Sequence, residues 1–287
     1  MAAIVVACAL FSRPPLTARE IAATVPFRWS PGAVVVDVRV NGAGPFPFLL
    51  DTGSSHTSVS AGLARAIAAP RVARTLLSTP AGDAWAAVVR VSRLALGPLA
   101  GVDLLATELP DDQLLPSVVG VIGRDLLGDR AFTLDYRNAR LSWPDSVETD
   151  EAQTALLPLD TRGPVWLVGV SDAGRELALV PDSGAEQAVL FDRGQWKHLG
   201  ELAGTNTIRS VTGERPASLG TLARLNMGGI QLVEHPVVVV EGAAVGLAHG
   251  DGLLPLHLFD RVAFRPREGL VQLSRRGSAS AGNVGSN

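Results

Sequence analysis

The sequence predicts a mainly β protein built as two similar lobes, and three observations carry that expectation. Val-rich segments alternate apolar and polar residues with the two-residue period of a half-buried strand. The 30 Gly and 19 Pro punctuate these segments at short intervals, as tight turns do. The chain also repeats itself, because a series of turn and motif residues recurs 131 positions later. Asp51-Thr52-Gly53 is matched by Asp182-Ser183-Gly184, Gly82-Asp83 by Gly213-Glu214, and Arg93-Leu94-Ala95-Leu96-Gly97 by Arg224-Leu225-Asn226-Met227-Gly228. Asp129-Arg130 falls on Asp260-Arg261 and, with a one-residue slip, Gly120-Val121-Ile122-Gly123 falls on Gly252-Leu253-Leu254-Pro255. Such a period is too long for a solenoid unit and suits a small domain, so 287 residues divide naturally into two lobes.

The elements follow in order. Residues 1–31 are read as an N-terminal segment that is signal-like: Ala2–Phe11 is apolar, lacks a basic start and is too short to span a bilayer. It points to a periplasmic or secreted protein without establishing one. The first lobe is placed at 32–144. Val34, Val36, Val38 and Val40 form one face of a strand, Asn41-Gly42 turns it back, and Phe46–Leu50 runs as a second strand into Asp51. A short helix is expected at Ala61–Ala69 behind Ser60 as N-cap. Residues 145–164 carry Asp145, Glu148, Asp150 and Glu151 and are read as a solvated inter-lobe connection. The second lobe, 165–274, repeats the strand pair as Trp166–Val170 and Leu177–Val180 around Asp172-Ala173-Gly174, with a second short helix at Asp192–Leu199. Residues 275–287, rich in Ser, Gly, Ala and Asn, are expected to be a disordered tail.

Composition excludes several function classes. A net charge of −3 with only 18% charged residues gives no electrostatic footprint for nucleic acid. Cys8 is alone, so no intrachain disulfide forms, and the five His lack the spacing of a zinc motif; no metal or cofactor is expected. A serine hydrolase would need Gly-x-Ser-x-Gly, and the nearest stretch, Gly169–Gly174, has the wrong spacing. The Gly-rich segments form neither a P-loop nor a dinucleotide fingerprint.

The carboxylates carry the chemistry. An apolar strand ending in Asp-Thr/Ser-Gly presents a carboxylate at a loop tip, with a hydroxyl beside it and a Gly that admits another backbone closely. One such tripeptide arises by chance in roughly one chain in eight of this length, so two at equivalent places in a repeat are a signal. Paired carboxyls can supply both the base that activates a water and the acid that protonates a leaving nitrogen. Like charges held close share one proton over a mildly acidic range.

At these residues the sequence resembles the pepsin-like and retropepsin-like aspartic proteases, most of all the compact, disulfide-free bacterial type with both lobes on one chain. The match lies in Phe48–Ser55 and Leu179–Ala185, with Val121-Ile122-Gly123 and Leu253-Leu254-Pro255 as the apolar-apolar-Gly element of each copy. It extends over roughly residues 32–274. The resemblance implies two β-barrel-like lobes with an active cleft between them, and Asp51 and Asp182 as the catalytic pair. It implies Thr52, Gly53, Ser54, Ser183 and Gly184 as their support, and an endopeptidase acting on peptide or protein substrates as a monomer. A hairpin over the cleft is expected around Ala81–Val89, with Gly82 near its tip, Trp85 as its aromatic, and Gly213 as its relic in the second lobe. Ser54, which faces Ala185 across the repeat, is expected to donate its hydroxyl to Asp51 and favour ionisation there. Two departures stand in the second copy: Pro255 replaces Gly123, and Pro181 removes a backbone N–H before Asp182. The alternative function is a catalytically silent two-lobed protein that binds peptides or resembles an inhibitor.

Overall fold

The computed structural model describes residues 23–143, 153–192, 196, 205–242 and 250–276. Strand pairing resolves into three sheets. The first contains β1 (Ala23–Ser30), β2 (Ala33–Val40), β3 (Ala43–Leu50), β4 (Ser58–Ser60), β5 (Arg71–Thr79), β6 (Gly82–Leu96), β7 (Leu99–Leu109) and β8 (Gly120–Ile122). Helix α1 (Ala61–Ala66) follows β4, with the Ser60 side chain accepting from the Leu63 N–H, and α2 (Arg124–Leu127) follows β8.

A central sheet takes strands from both halves: β1 again, β9 (Phe132–Asp135), β10 (Arg140–Trp143), β11 (Gln153–Asp160), and later β19 (Arg261–Arg265) and β20 (Leu270–Arg275). The third sheet mirrors the first with β12 (Leu167–Asp172), β13 (Arg175–Asp182), β14 (Ala188–Asp192), β15 (Thr205–Ser210), β16 (Gly213–Met227), β17 (Ile230–Glu241) and β18 (Gly252–Pro255).

The registers reproduce the repeat. Ser58 pairs with Thr107 as Val189 pairs with Val238, and Leu49 pairs with Val121 as Val180 pairs with Leu253. Val34, Val36, Val38 and Val40 are buried while Asp37 and Arg39 face water, as the alternation predicts. One apolar core runs through both halves. At its centre Phe132 stacks on Phe264 at 4.8 Å, with Trp166 packed 5.1 Å from Phe264.

Three boundaries differ from the sequence reading. The first half begins before residue 32: Ala23–Ser30 is β1, paired with β10 and then with β2, although only Phe27 of its side chains is buried. The connection placed at 145–164 contains β11, which pairs with β20 over 153–158 and buries Ala155, Leu157 and Leu159. Asp192 ends β14; the rest of the helix placed at 192–199 lies outside the described residues except Trp196, whose indole donates to the Phe191 carbonyl at 3.1 Å. Residues 1–22 and 277–287, which hold the signal-like run and most of the expected tail, lie outside the described residues. No helix among the described residues is long and apolar enough to cross a membrane.

Candidate active site

Each aspartate is delivered by the same device. β3 runs parallel to β8 and hands the chain to Asp51, whose N–H is bonded to the Ile122 carbonyl at 3.0 Å; β13 runs parallel to β18 and ends on Asp182. The neighbouring hydroxyl residues then lock the two loops reciprocally. Thr52 N–H donates to Ser183 Oγ and Ser183 N–H to Thr52 Oγ1, both at 3.0 Å. Thr52 Oγ1 donates to the Pro181 carbonyl and Ser183 Oγ to the Leu50 carbonyl, both at 2.7 Å. Thr52 and Ser183 are buried, and each hydroxyl gives one bond and takes one, so neither side chain is left with an orphan group.

The glycines are required by the partner loop. A Cβ on Gly53 would stand 2.7 Å from the Asp182 carboxyl, and one on Gly184 would stand 3.0 Å from that of Asp51. Asp51 Oδ1 accepts the N–H groups of Gly53 and Ser54 at 2.8 and 3.0 Å, and Asp182 Oδ1 accepts that of Gly184 at 2.7 Å. The two carboxyls are hydrogen-bonded to each other. Burial raises the pKa of both. Asp182 is raised further, because the charge of Asp51 opposes its ionisation, while the bond from Asp182 and the backbone donors hold Asp51 down.

Ser54 supports the pair differently from the sequence expectation. Its hydroxyl donates to the His56 carbonyl at 2.9 Å, and its backbone N–H reaches Asp51. The turn after Asp51 offers that hydroxyl a backbone acceptor two residues on, as Ser side chains in turns commonly find.

The departures in the second copy are accommodated. Pro181 keeps the carbonyl that Thr52 needs, and β12 pairs with β13 only as far as Leu179, so the missing N–H breaks no bond of that ladder. Gly123 is pressed on the backbone of His56, where a Cβ would meet its carbonyl carbon at 2.5 Å; Pro255 instead ends β18 ahead of a single 3-10 turn.

Gly82 begins β6 just after the hairpin turn, with φ of 135°. Trp85 lies on the strand face opposite that of Gly82. It is 65% exposed, paired with Leu76, and Arg74 sits 5.7 Å over its ring. The second hairpin is no relic: β15 and β16 pair from Thr205↔Ser218 to Ser210↔Gly213, and Gly213 has φ of 133°. Its tip meets the first, with Thr79 Oγ1 2.7 Å from Ser210 Oγ.

Two further features carry no local signal in the sequence. Tyr136 is buried beside Phe27 and Trp29, its hydroxyl has no hydrogen-bond partner, and burial together with the charge of Asp182 pushes its pKa up. No local pattern signals it, since its position depends on the central sheet. Beyond Asp51, Ser55, His56, Arg124, Asp129 and Pro164 line a polar recess of about 370 Å³, in which Ser55 Oγ lies 2.8 Å from His56 Nδ1. Among the described residues no three His, Cys, Asp or Glu gather as metal ligands would.

Fold and sequence point to one class. Residues 36–126, which hold Asp51-Thr52-Gly53, the first hairpin and Gly123, match the model of the aspartyl protease family. Among solved structures the chain is similar to an aspartic proteinase from Irpex lacteus, with a TM-score of 0.56 and 13% identity over 91% of this chain and 99% of that one. No curated protein sequence matches the chain. The family model thus matches a segment of the first half, and the solved structure shows that the chain shares that proteinase's fold.

Proposed function

We propose that the protein is an endopeptidase that hydrolyses peptide bonds with a water activated between Asp51 and Asp182. The observation that carries this reading is the hydrogen-bonded carboxyl pair, Asp182 buried and Asp51 half-buried, gripped symmetrically by Thr52 and Ser183. Asp182, the more strongly raised of the two, holds the shared proton, and Asp51 remains the acceptor.

In the reaction, Asp51 takes a proton from the water as the water oxygen attacks the scissile carbonyl carbon. Asp182 gives its proton to the carbonyl oxygen, so the tetrahedral intermediate is neutral. Asp51, now protonated, passes that proton to the leaving nitrogen as the carbon–nitrogen bond breaks. The gem-diol hydroxyl returns a proton to Asp182, which restores the starting state. The backbone donors of Gly53, Ser54 and Gly184 fix the carboxyl orientations, so little reorganisation accompanies the charge movement.

The protein acts as a monomer on peptide or protein substrates, with both catalytic groups on one chain. Digestion of denatured casein between roughly pH 3.5 and 7, with and without a statine-type inhibitor, tests the reading. Cleavage that the inhibitor suppresses is expected; absence of cleavage across that range overturns it.

A further inference from the structure

By the slipped register of the repeat, Pro255-Leu256-His257 stands where the first half has Gly123-Arg124-Asp125. In the first half that segment holds the aspartate loop and the chain just beyond it. The Arg124 backbone N–H donates to the Ser54 carbonyl at 2.9 Å, and the Asp125 carboxylate accepts Thr57 N–H and Oγ1 at 2.9 and 2.7 Å. The second half has Ala185 in place of Ser54 and Ala188 in place of Thr57. A carboxylate at 257 would therefore find no hydroxyl at 188, whereas the Ala185 carbonyl calls for a donor. The side chain has changed to suit, from acceptor to donor. The His257 ring is hydrogen-bonded to the Ala185 carbonyl, and the bond favours the protonated imidazole, as one donated by a ring N–H does.

We propose that His257 is a positioning residue for the carboxyl pair: its ring N–H holds the Ala185 carbonyl and so keeps the Ala185 N–H aimed at Asp182. The proposal rests on the peptide-cleaving reading of the site.

The turn that carries the ring is fixed. Leu256 and Phe259 are buried in the core, and Phe259 N–H closes the 3-10 turn of Leu256–Leu258 on the Leu256 carbonyl at 3.1 Å. The loop that the ring reaches is pressed by a second element. A Cβ on Gly32, in the β1–β2 turn at φ of 73°, would stand 2.8 Å from Glu186 Cβ and 2.9 Å from its backbone nitrogen. Ala185 is bonded at both ends: its N–H to the Asp182 carboxyl, as Ser54 N–H is to Asp51 Oδ1, and its carbonyl to His257. Its methyl group packs in the apolar cluster with Val180, Val189 and Leu253, so the imidazole is a polar support in a loop otherwise held by packing. Burial lowers the pKa of His257 below the ordinary histidine value, although Glu186 beside it favours the cation. His235 on β17 also feels the ring's charge, together with that of Arg275. A neutral ring has one N–H and a cationic ring two, so the donor on Ala185 is kept in either state.

His257→Phe keeps a ring in place and removes the donor, while His257→Asn and His257→Gln set an amide N–H near the positions of the two ring nitrogens. Carboxyl carbon-13 NMR of the aspartates follows Asp182 directly, its resonance being the one lost in Asp182→Asn. In His257→Phe the higher apparent pKa of the carboxyl pair is expected to rise by about 0.4 to 1 unit, the roughly 2- to 12-fold weight of one hydrogen bond. The kcat for peptide hydrolysis is expected to fall by a similar factor with KM unchanged, because no substrate contact is removed. One of the two amide variants is expected to restore both values. In the wild-type chain, imidazole nitrogen-15 NMR is expected to show one His257 N–H protected from exchange with solvent; a freely exchanging ring overturns the proposal without any variant. An Asp182 carboxyl that titrates alike in wild type and in folded His257→Phe overturns it as well, and inhibitor-sensitive cleavage of casein then leaves the protease reading intact. A shift that neither amide reverses assigns the effect to ring packing and overturns the donor role. A shift that an amide reverses, in a chain that cleaves no peptide, keeps the positioning role and loses the protease reading.

Discussion

The loop around Asp51 and the loop around Asp182 share one grip but are supported by opposite means. Behind Asp51 the support is polar. The Asp125 carboxylate accepts Thr57 N–H and Oγ1 at 2.9 and 2.7 Å, Gly123 N–H reaches Thr57 Oγ1, and Ser58, Ser60 and Thr107 are buried alongside. At the matching positions around Asp182 stand Ala188, which joins the main core, and Val189, Phe191 and Val238, packed with Val180, Ala185, Val240 and Leu253 in an apolar cluster of their own. What the copies keep in common is what a carboxyl pair needs: Asp, a hydroxyl, Gly, and a hairpin that turns at a positive-φ Gly. What differs is how each loop is held still. A fold can thus hold two equivalent groups in one geometry with hydrogen bonds on one side and packing on the other.

The largest expected effect lies where the halves are alike. Asp51→Asn and Asp182→Asn are each expected to reduce peptide hydrolysis by about a hundred- to ten-thousand-fold without unfolding the chain. The amide keeps the shape and cannot carry the proton. A variant with a large share of wild-type turnover would show that the two groups do not act together.

The next effect separates the two supports. Phe191→Ala is expected to destabilise the fold by about 3–5 kcal/mol through the cavity it opens. The equivalent Ser60→Ala loses the cap of α1 and is expected to cost about 0.5–2 kcal/mol. Urea unfolding measures both, and equal losses would contradict the contrast.

The pH dependence of stability has a definite sign. Asp182 is raised in the folded chain, so the fold favours its protonated form and ionisation works against stability. That penalty is full above the folded pKa and gone below the ordinary carboxylate value of about 4. Asp182→Asn is therefore expected to melt above the wild type at neutral pH, with the gap closing as pH falls toward about 4. A gap independent of pH would show that ionisation is not its source. The smallest effect belongs to Ser54→Ala: its hydroxyl serves the His56 carbonyl, so the acidic limb of the pH–rate profile is expected to stay in place.

Much of this was legible locally. The Val34–Val40 alternation, the Asn41-Gly42 turn, the Ser60 cap and both Asp-Thr/Ser-Gly tips are written in adjacent residues, and the repeat made the two tips readable as a pair. The rest depends on distant partners. β1 is a strand because β10 and β2 flank it, Tyr136 sits near Asp182 because β9 pairs with β19, and Thr79 meets Ser210 only when both halves are folded. Ser54 sits beside Asp51 in the chain, yet its hydroxyl is bonded to the His56 carbonyl and only its backbone N–H to Asp51.

The shared proton is the central claim, and a pH–rate profile of peptide hydrolysis tests it most directly. The account expects a bell with both limbs below neutrality, a statine-type inhibitor that suppresses activity throughout, and a profile abolished by Asp182→Asn. Activity that rises to a plateau above pH ~7 and ignores the inhibitor would contradict it.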